Sequence, residues 1–124
     1  MTRSTAAAAA LAFLAYSADA SAKCSTDRYR FAVEKNDIAG VTMKGSPGDH
    51  CNTSFRSSPE STLKLTSATV TSPAKNGEAS ASTSGMTYVP KTGFSGTDAF
   101  TVKVCGENKA GKGCSTLNVS VTLR

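Results

Sequence analysis

Two segments near the end of the sequence alternate strictly between apolar and polar residues, and this alternation constrains the fold more than any other feature. Apolar residues fall on even positions in 100–104 and on odd positions in 117–123. A period of two is typical of β-strands that are buried on one face. Cys105 and Cys114 lie between the two segments, and each falls on the polar side of the alternation next to it.

An antiparallel hairpin with Cys105 opposite Cys114 buries both apolar faces and brings the two sulfur atoms together. In this register Val102 faces Leu117. Directly opposed residues of antiparallel strands have Cα atoms about 4.5–5.5 Å apart, a distance that overlaps the disulfide range. The alternation therefore predicts a hairpin closed by a Cys105–Cys114 disulfide.

The amino-terminal residues have the organisation of a secretory signal. Arg3 precedes an apolar run over 6–16, and small residues follow at 20–22. The run is about half as long as the roughly 20 residues that a membrane-spanning helix needs. We therefore expect a cleaved signal peptide at 1–22 and one exported domain at 23–124, periplasmic or extracellular, with no transmembrane anchor.

An exported chain meets an oxidising compartment, in which an even set of cysteines forms disulfides. With Cys105 bonded to Cys114, the remaining pair is Cys24–Cys51. The alternative is a bridge between sheets from Cys51 to Cys105, as in antibody domains, but the chain has no Trp to pack on such a bridge.

The rest of the exported part consists of short alternating segments separated by turn residues. Strands are expected at 29–33, 40–44, 52–57, 63–70 with a bulge near Thr66 and Ser67, 78–82 and 86–89. Loops are expected at 45–51 and 90–96, and the Asn76-Gly77 pair is typical of a hairpin turn. Seven or eight short strands without a convincing helix predict an all-β fold, an immunoglobulin-like antiparallel sandwich of two sheets.

Residues 85–104 carry a pattern that resembles the closing half of bacterial immunoglobulin-like and cadherin-like tandem modules. That pattern is Tyr-x-Pro, then Gly-Phe-x-Gly-x-Asp-x-Phe, then an alternating strand. The matching positions are Tyr88, Pro90, Gly93, Phe94, Gly96, Asp98 and Phe100. The preceding Pro-x-x-Asn-Gly stretch is also similar, so the likeness spans residues 70–104. It implies the fold and names no ligand, because such sandwiches host many functions.

Asp98 is the one residue of this motif with a chemical alternative. It can accept backbone hydrogen bonds across the turn, which is a structural role. In the modules that the chain resembles, an Asp at this corner can approach calcium, which takes roughly six to eight oxygen ligands, usually from several carboxylates. One carboxylate cannot build such a site, so we expect a structural Asp98, with calcium as a weak alternative, and no cofactor.

Residue types used in catalysis cluster only at Asp49-His50-Cys51. A Cys-His pair can activate a thiolate, but an exported Cys with three companions is far more often half of a disulfide. The chain has a single His, which is too few for a blue-copper or catalytic zinc centre. We therefore expect no catalytic residues, with a small secreted hydrolase or hydrolase inhibitor that uses this loop as the alternative.

The net charge of +5 comes from basic residues spread along the whole chain. Because they form no strip with aromatic residues, the sequence argues against nucleic-acid binding. Lys109 and Lys112, in the disulfide-closed segment 106–113, are the candidate binding surface together with the loop 45–58. The expected function is a non-catalytic binding or structural module, with roles in adhesion or cell-envelope association. Its expected partner is an unidentified protein or an anionic envelope polymer.

Overall fold

Two β-sheets form the protein in the computed structural model, which describes residues 24–55 and 62–124. The predicted signal peptide lies outside these residues. Eight strands are present in the described residues: β1 Ser25–Thr26, β2 Ile38–Gly45, β3 Cys51–Ser54, β4 Lys64–Ser72, β5 Gly77–Ser82, β6 Gly85–Pro90, β7 Gly96–Asn108 and β8 Gly111–Leu123. The predicted all-β architecture and strand number are confirmed.

The larger sheet has the order β1-β2-β8-β7-β4, and the smaller has the order β3-β6-β5. All pairs in the described part are antiparallel except β2 and β8, which run parallel over the whole of β2. The wholly antiparallel sandwich predicted from the sequence is therefore wrong at one pair. Since β2 and β8 are far apart in sequence, no short turn forces them to run in opposite directions.

The β7–β8 hairpin has the predicted register. Cys105 lies opposite Cys114 and Val102 lies opposite Leu117. The segment 106–113, however, is not an open loop, because both strands continue to a two-residue tip at 109–110. Gly106 and Gly113, the first and last residues of this segment, remain paired with each other in the β7–β8 ladder.

The core lies between the sheets and is built from the inward positions of both. The buried apolar residues include Val41, Met43, Cys51, Phe55, Met86, Tyr88, Phe100, Val102, Val104, Leu117, Val119, Val121 and Leu123. Even positions of β7 and odd positions of β8 supply seven of these, as the alternation predicts. The predicted bulge is also present, as a register shift between Leu65 and Ser67.

The strand predicted at 29–33 is absent. Residues 27–32 lie outside any strand, and a 3₁₀ turn covers Val33–Lys35. The carboxylate of Asp37 accepts the backbone N–H of Ala32 at 3.0 Å, and Asn36 closes the turn with a left-handed φ of 50°. These local bonds satisfy backbone groups that a strand would have offered to a neighbour.

The Asn76-Gly77 pair does not form the expected hairpin turn, because β4 and β5, which it connects, lie in different sheets. Gly77 begins β5, and a Cβ atom there would lie 2.6 Å from the carbonyl oxygen of Val89. The glycine is therefore required by close packing. The actual hairpin is β5–β6, which turns through residues 83–84.

Candidate functional site

The motif that carries the family resemblance forms a hydrogen-bonded corner around Asp98. Its buried carboxylate accepts the hydroxyl of Tyr88 at 2.8 Å and the backbone N–H groups of Asn76 at 2.8 Å, Lys75 at 3.1 Å and Ala99 at 2.8 Å. Asp98 thus links the turn before β5 to β6 and β7. The carboxylate has structural partners for both of its oxygens.

The pKa values at this corner follow from these bonds. Burial pushes the pKa of Asp98 upward, but the hydrogen bonds from Tyr88 and from the three backbone N–H groups outweigh it, so the net shift is downward. The pKa of Tyr88 is raised, first by burial and then by its hydrogen bond to Asp98 and the charge of that carboxylate. Asp98 is therefore held ionised and Tyr88 protonated, as a fixed donor–acceptor pair.

The remaining motif residues shape the connection from β6 to β7. Gly93 and Gly96 have φ values of 81° and 126°, in a region that glycine adopts without strain. The N–H of Phe94 donates to the carbonyl of Lys91 at 3.0 Å, and the Phe94 ring packs against the core. Pro90 ends β6. Within 24–55 and 62–124, no group of three or more His, Cys, Asp or Glu residues is arranged to hold a metal ion.

The structure contains both predicted disulfides, Cys24–Cys51 and Cys105–Cys114. The three residues of the candidate catalytic loop consequently have separate roles. Cys51 is buried and oxidised, and buried Asp49 accepts the N–H of Ser46 at 2.7 Å within its own turn. His50 is exposed, and its carbonyl accepts the N–H of Cys24 at 3.5 Å.

Lys109 and Lys112 are both exposed near the β7–β8 tip. Lys112 lies directly opposite Glu107, and Lys64 of β4 also faces Glu107. The N–H of Lys109 donates to the hydroxyl of Thr62 at 3.1 Å, which attaches the tip to the start of the β4 segment. The tip is therefore a braced turn that carries charges of both signs. The loop predicted together with it, 45–58, is not a continuous loop, because β3 lies within it, and residues 56–58 lie outside the described residues.

A surface groove that the sequence prediction missed lies between the amino-terminal segment and the end of β3. It has a volume of about 870 Å³. One wall is formed by 26–31, which is irregular after β1 ends at Thr26. The other is formed by 53–55, at the end of β3 and just beyond it, and Leu63 also lines the groove. The disulfide between Cys24 and Cys51 joins the two chain segments just before each wall begins.

The groove is rich in aromatic residues and arginine. It holds three of the six aromatic residues in the described part of the chain, and two of its three arginines, Arg28 and Arg30. Tyr29 stacks on Phe31 with ring centroids 6.4 Å apart, and Phe31 meets Phe55 edge to face at 6.1 Å. Aromatic residues and arginine are the types most enriched at protein interfaces.

The sequence contained a signal for this groove in Arg28-Tyr29-Arg30-Phe31, an alternation of basic and aromatic residues. The alternation of 29–33 predicts a half-buried strand, which is absent, and the prediction that basic and aromatic residues form no strip is wrong for 28–31. What the sequence does not show is that β3, more than 20 residues away, supplies the facing wall.

The described residues contain no helix with the length and hydropathy of a membrane span. A search of curated proteins and a search of solved structures each found no match. The family model described as bacterial Ig domain matches residues 27–122, which include all strands from β2 to β7 and nearly all of β8. The two-sheet sandwich with its corner motif thus agrees with this match, and the chain belongs to the bacterial Ig domain family.

Proposed function

We propose that this protein is an exported bacterial Ig module that acts without catalysis, as a binding component of the periplasm or the cell exterior. The observation that carries the proposal is the groove between residues 26–31 and 53–55, where exposed arginines adjoin partly exposed aromatic rings. The two disulfides fit an oxidising compartment, and Cys24–Cys51 joins the walls of the groove at one end.

The charge distribution supports an anionic partner at the cell envelope. Arg28 and Arg30 are exposed on one wall, and Asp27 beside them forms an ion pair with Lys44 at 3.9 Å. Lys44 is thus a third cation close to the two arginines. At the β7–β8 tip, Lys64, Lys109 and Lys112 lie around Glu107, so the two surfaces have the same balance of charge. The groove is the better candidate for binding because aromatic rings also line it.

Export is tested by expressing the full chain in a Gram-negative host and fractionating the cells. We expect a periplasmic or secreted product whose intact mass corresponds to a chain that begins at Lys23, with all four cysteines oxidised. A reduced product that retains residues 1–22 in the cytosol would contradict export.

Binding is tested by co-sedimentation of the purified protein with isolated cell envelopes at increasing salt. We expect binding that weakens as salt rises, because exposed charges are screened. The double variant R28Q/R30Q should bind less than K91Q/K103Q, which removes the same charge from exposed positions outside the groove. Binding that ignores salt, or that falls only in K109Q/K112Q, would contradict the assignment to the groove.

A further inference from the structure

The groove has a strand edge along one wall. β3 is an edge strand, paired only with β6 in the described residues. The N–H of Phe55 donates to the carbonyl of Ser84 at 3.1 Å, so the odd-numbered residues direct their backbone groups to β6. In an antiparallel ladder the intervening residues, Asn52 and Ser54, then direct theirs outward.

The outward edge of β3 faces the groove. The hydroxyl of Tyr29, on the opposite wall, donates to the carbonyl of Ser54 at 3.5 Å. A bond of this length is weak, so an N–H donor from another chain can replace it. The outward N–H and carbonyl of Asn52 have no hydrogen-bond partner among residues 24–55 and 62–124.

The other wall is irregular and equally unpaired. The backbone groups of residues 28–31 lie outside any ladder and form no hydrogen bond with the described part of the chain. An edge strand and an irregular segment, both with backbone groups unpaired within the described part of the chain, therefore flank one groove. An extended peptide can satisfy such groups by adding as a strand, while a sugar polymer offers no regular series of N–H donors.

The side chains define the chemistry of that peptide. Partly buried Tyr29 and Phe31, with buried Phe55, offer apolar contacts for side chains on one face of an added strand. Exposed Arg28 and Arg30 offer charge to acidic side chains on the other face. An incoming strand that alternates acidic and apolar residues matches both.

The edge formed by β4 is less suited to this role. The β4 edge is interrupted by two register shifts, between Leu65 and Ser67 and between Val70 and Ser72. Bulges of this kind disrupt the regular pairing of an edge. The β3 edge has an unbroken register with β6 over its whole length.

We propose that the groove binds an extended peptide segment with alternating acidic and apolar residues, which adds as a strand to the free edge of β3. The proposal rests on the binding function above and specifies the class of partner and the mode of contact.

The test is a titration of the ¹⁵N-labelled protein with an acetylated and amidated octapeptide that alternates Glu and Val, followed by NMR. We expect amide shifts concentrated at Asn52, Ser54 and residues 28–31. The R28Q/R30Q variant should bind about tenfold more weakly or worse, since it loses two charge-assisted contacts, whereas K91Q/K103Q should bind like the unchanged protein.

Two further probes separate strand addition from simple charge attraction. The same octapeptide with N-methyl groups on alternate residues keeps its charge but loses the N–H groups along one edge. A peptide whose methylated edge faces β3 should lose most of its affinity. Both methylation registers are therefore tested, and one of them must abolish binding. Equal affinity for both methylated peptides and the parent would overturn strand addition.

Binding of polygalacturonate in the groove without binding of the octapeptide would overturn the peptide assignment in favour of a glycan. If envelopes bind the protein through Arg28 and Arg30 but the octapeptide does not bind, the inference fails and the proposed function stands. If neither envelopes nor peptide binds, both fail.

Discussion

Asp98 shows how much one buried carboxylate can organise. It accepts four hydrogen bonds from three separate parts of the chain, and the corner of the sandwich is assembled around it. The sequence predicted that Asp98 accepts backbone hydrogen bonds across its own turn, but two of the three backbone donors, Lys75 and Asn76, belong to the turn before β5. It could not predict the hydroxyl of Tyr88, because that contact depends on how β6 packs against β7.

Asp98→Asn should destabilise the protein by about 2–3 kcal/mol at pH 7, since an amide replaces an oxygen that accepts hydrogen bonds and the charge-assisted bonds are lost. Urea unfolding followed by circular dichroism measures the change. Asp27→Asn is the matched control, because Asp27 is exposed and its ion pair with Lys44 is solvated. A control that loses as much stability as Asp98→Asn would contradict this account.

The Asp98→Asn variant also isolates the contribution of Asp98 to the pH dependence of stability. The folded-state pKa of Asp98 is lowered, so its contribution to stability is complete above the ordinary aspartate pKa of about 3.9 and is lost as the pH falls through the lowered value. The stability difference between the unchanged protein and Asp98→Asn should therefore be constant from pH 7 to about pH 5 and shrink below pH 4. A difference that grows on acidification would contradict the direction of the shift.

At the level of elements, the 3₁₀ turn and the β7–β8 hairpin hold each other in place. Asn36 accepts the N–H of Cys114 at 3.0 Å, the hydroxyl of buried Ser115 donates to Asp37, and the N–H of Thr116 donates to the carbonyl of Asp37 at 2.9 Å. Three hydrogen bonds therefore hold the segment that follows the 3₁₀ turn against β8.

Gly113→Ala should destabilise the protein by about 1–3 kcal/mol, because a Cβ atom there would collide with the carbonyl oxygen of Val33 and approach Asn36 Oδ1 to 2.7 Å. Gly40→Ala is the control: a Cβ atom at this exposed strand position meets no atom within 4 Å. Thermal unfolding of the two variants should differ clearly. Equal melting temperatures would show that the 3₁₀ turn can move to make room for the Cβ atom without a loss of stability.

Elements whose partners are close in sequence could be predicted, and the others could not. The alternation of apolar and polar residues in 100–104 and 117–123 is sufficient to predict how the two strands pair, and the structure has that register. Residues 29–33 alternate as well, but Asp37 and Asn36 draw them into a turn and an irregular wall. The groove escaped prediction for the same reason, since its second wall is β3.

On the scale of the whole molecule, the two disulfides close chain segments of different lengths. Cys24–Cys51 spans 27 residues and Cys105–Cys114 spans 9. Chain entropy in the unfolded state assigns about 3.5 kcal/mol to the first and about 2.7 kcal/mol to the second.

The double variant C24A/C51A should therefore lose more stability than C105A/C114A, and by more than the entropy difference, because Cys51 is fully buried in the core. Denaturant unfolding of both variants, without reductant, measures this order. The reverse order would indicate that the hairpin bridge also supports contacts beyond its own strands.

The parallel pairing of β2 with β8 has a consequence for the order in which the fold can be completed. A chain is synthesised from its amino end, so β2 emerges long before β8, the strand that pairs with it. During that interval its core-facing Val41 and Met43 have no native neighbour on the β8 side. Contacts between residues so distant in sequence form slowly, which makes the arrival of β8 the step that commits the molecule to its native sheet order.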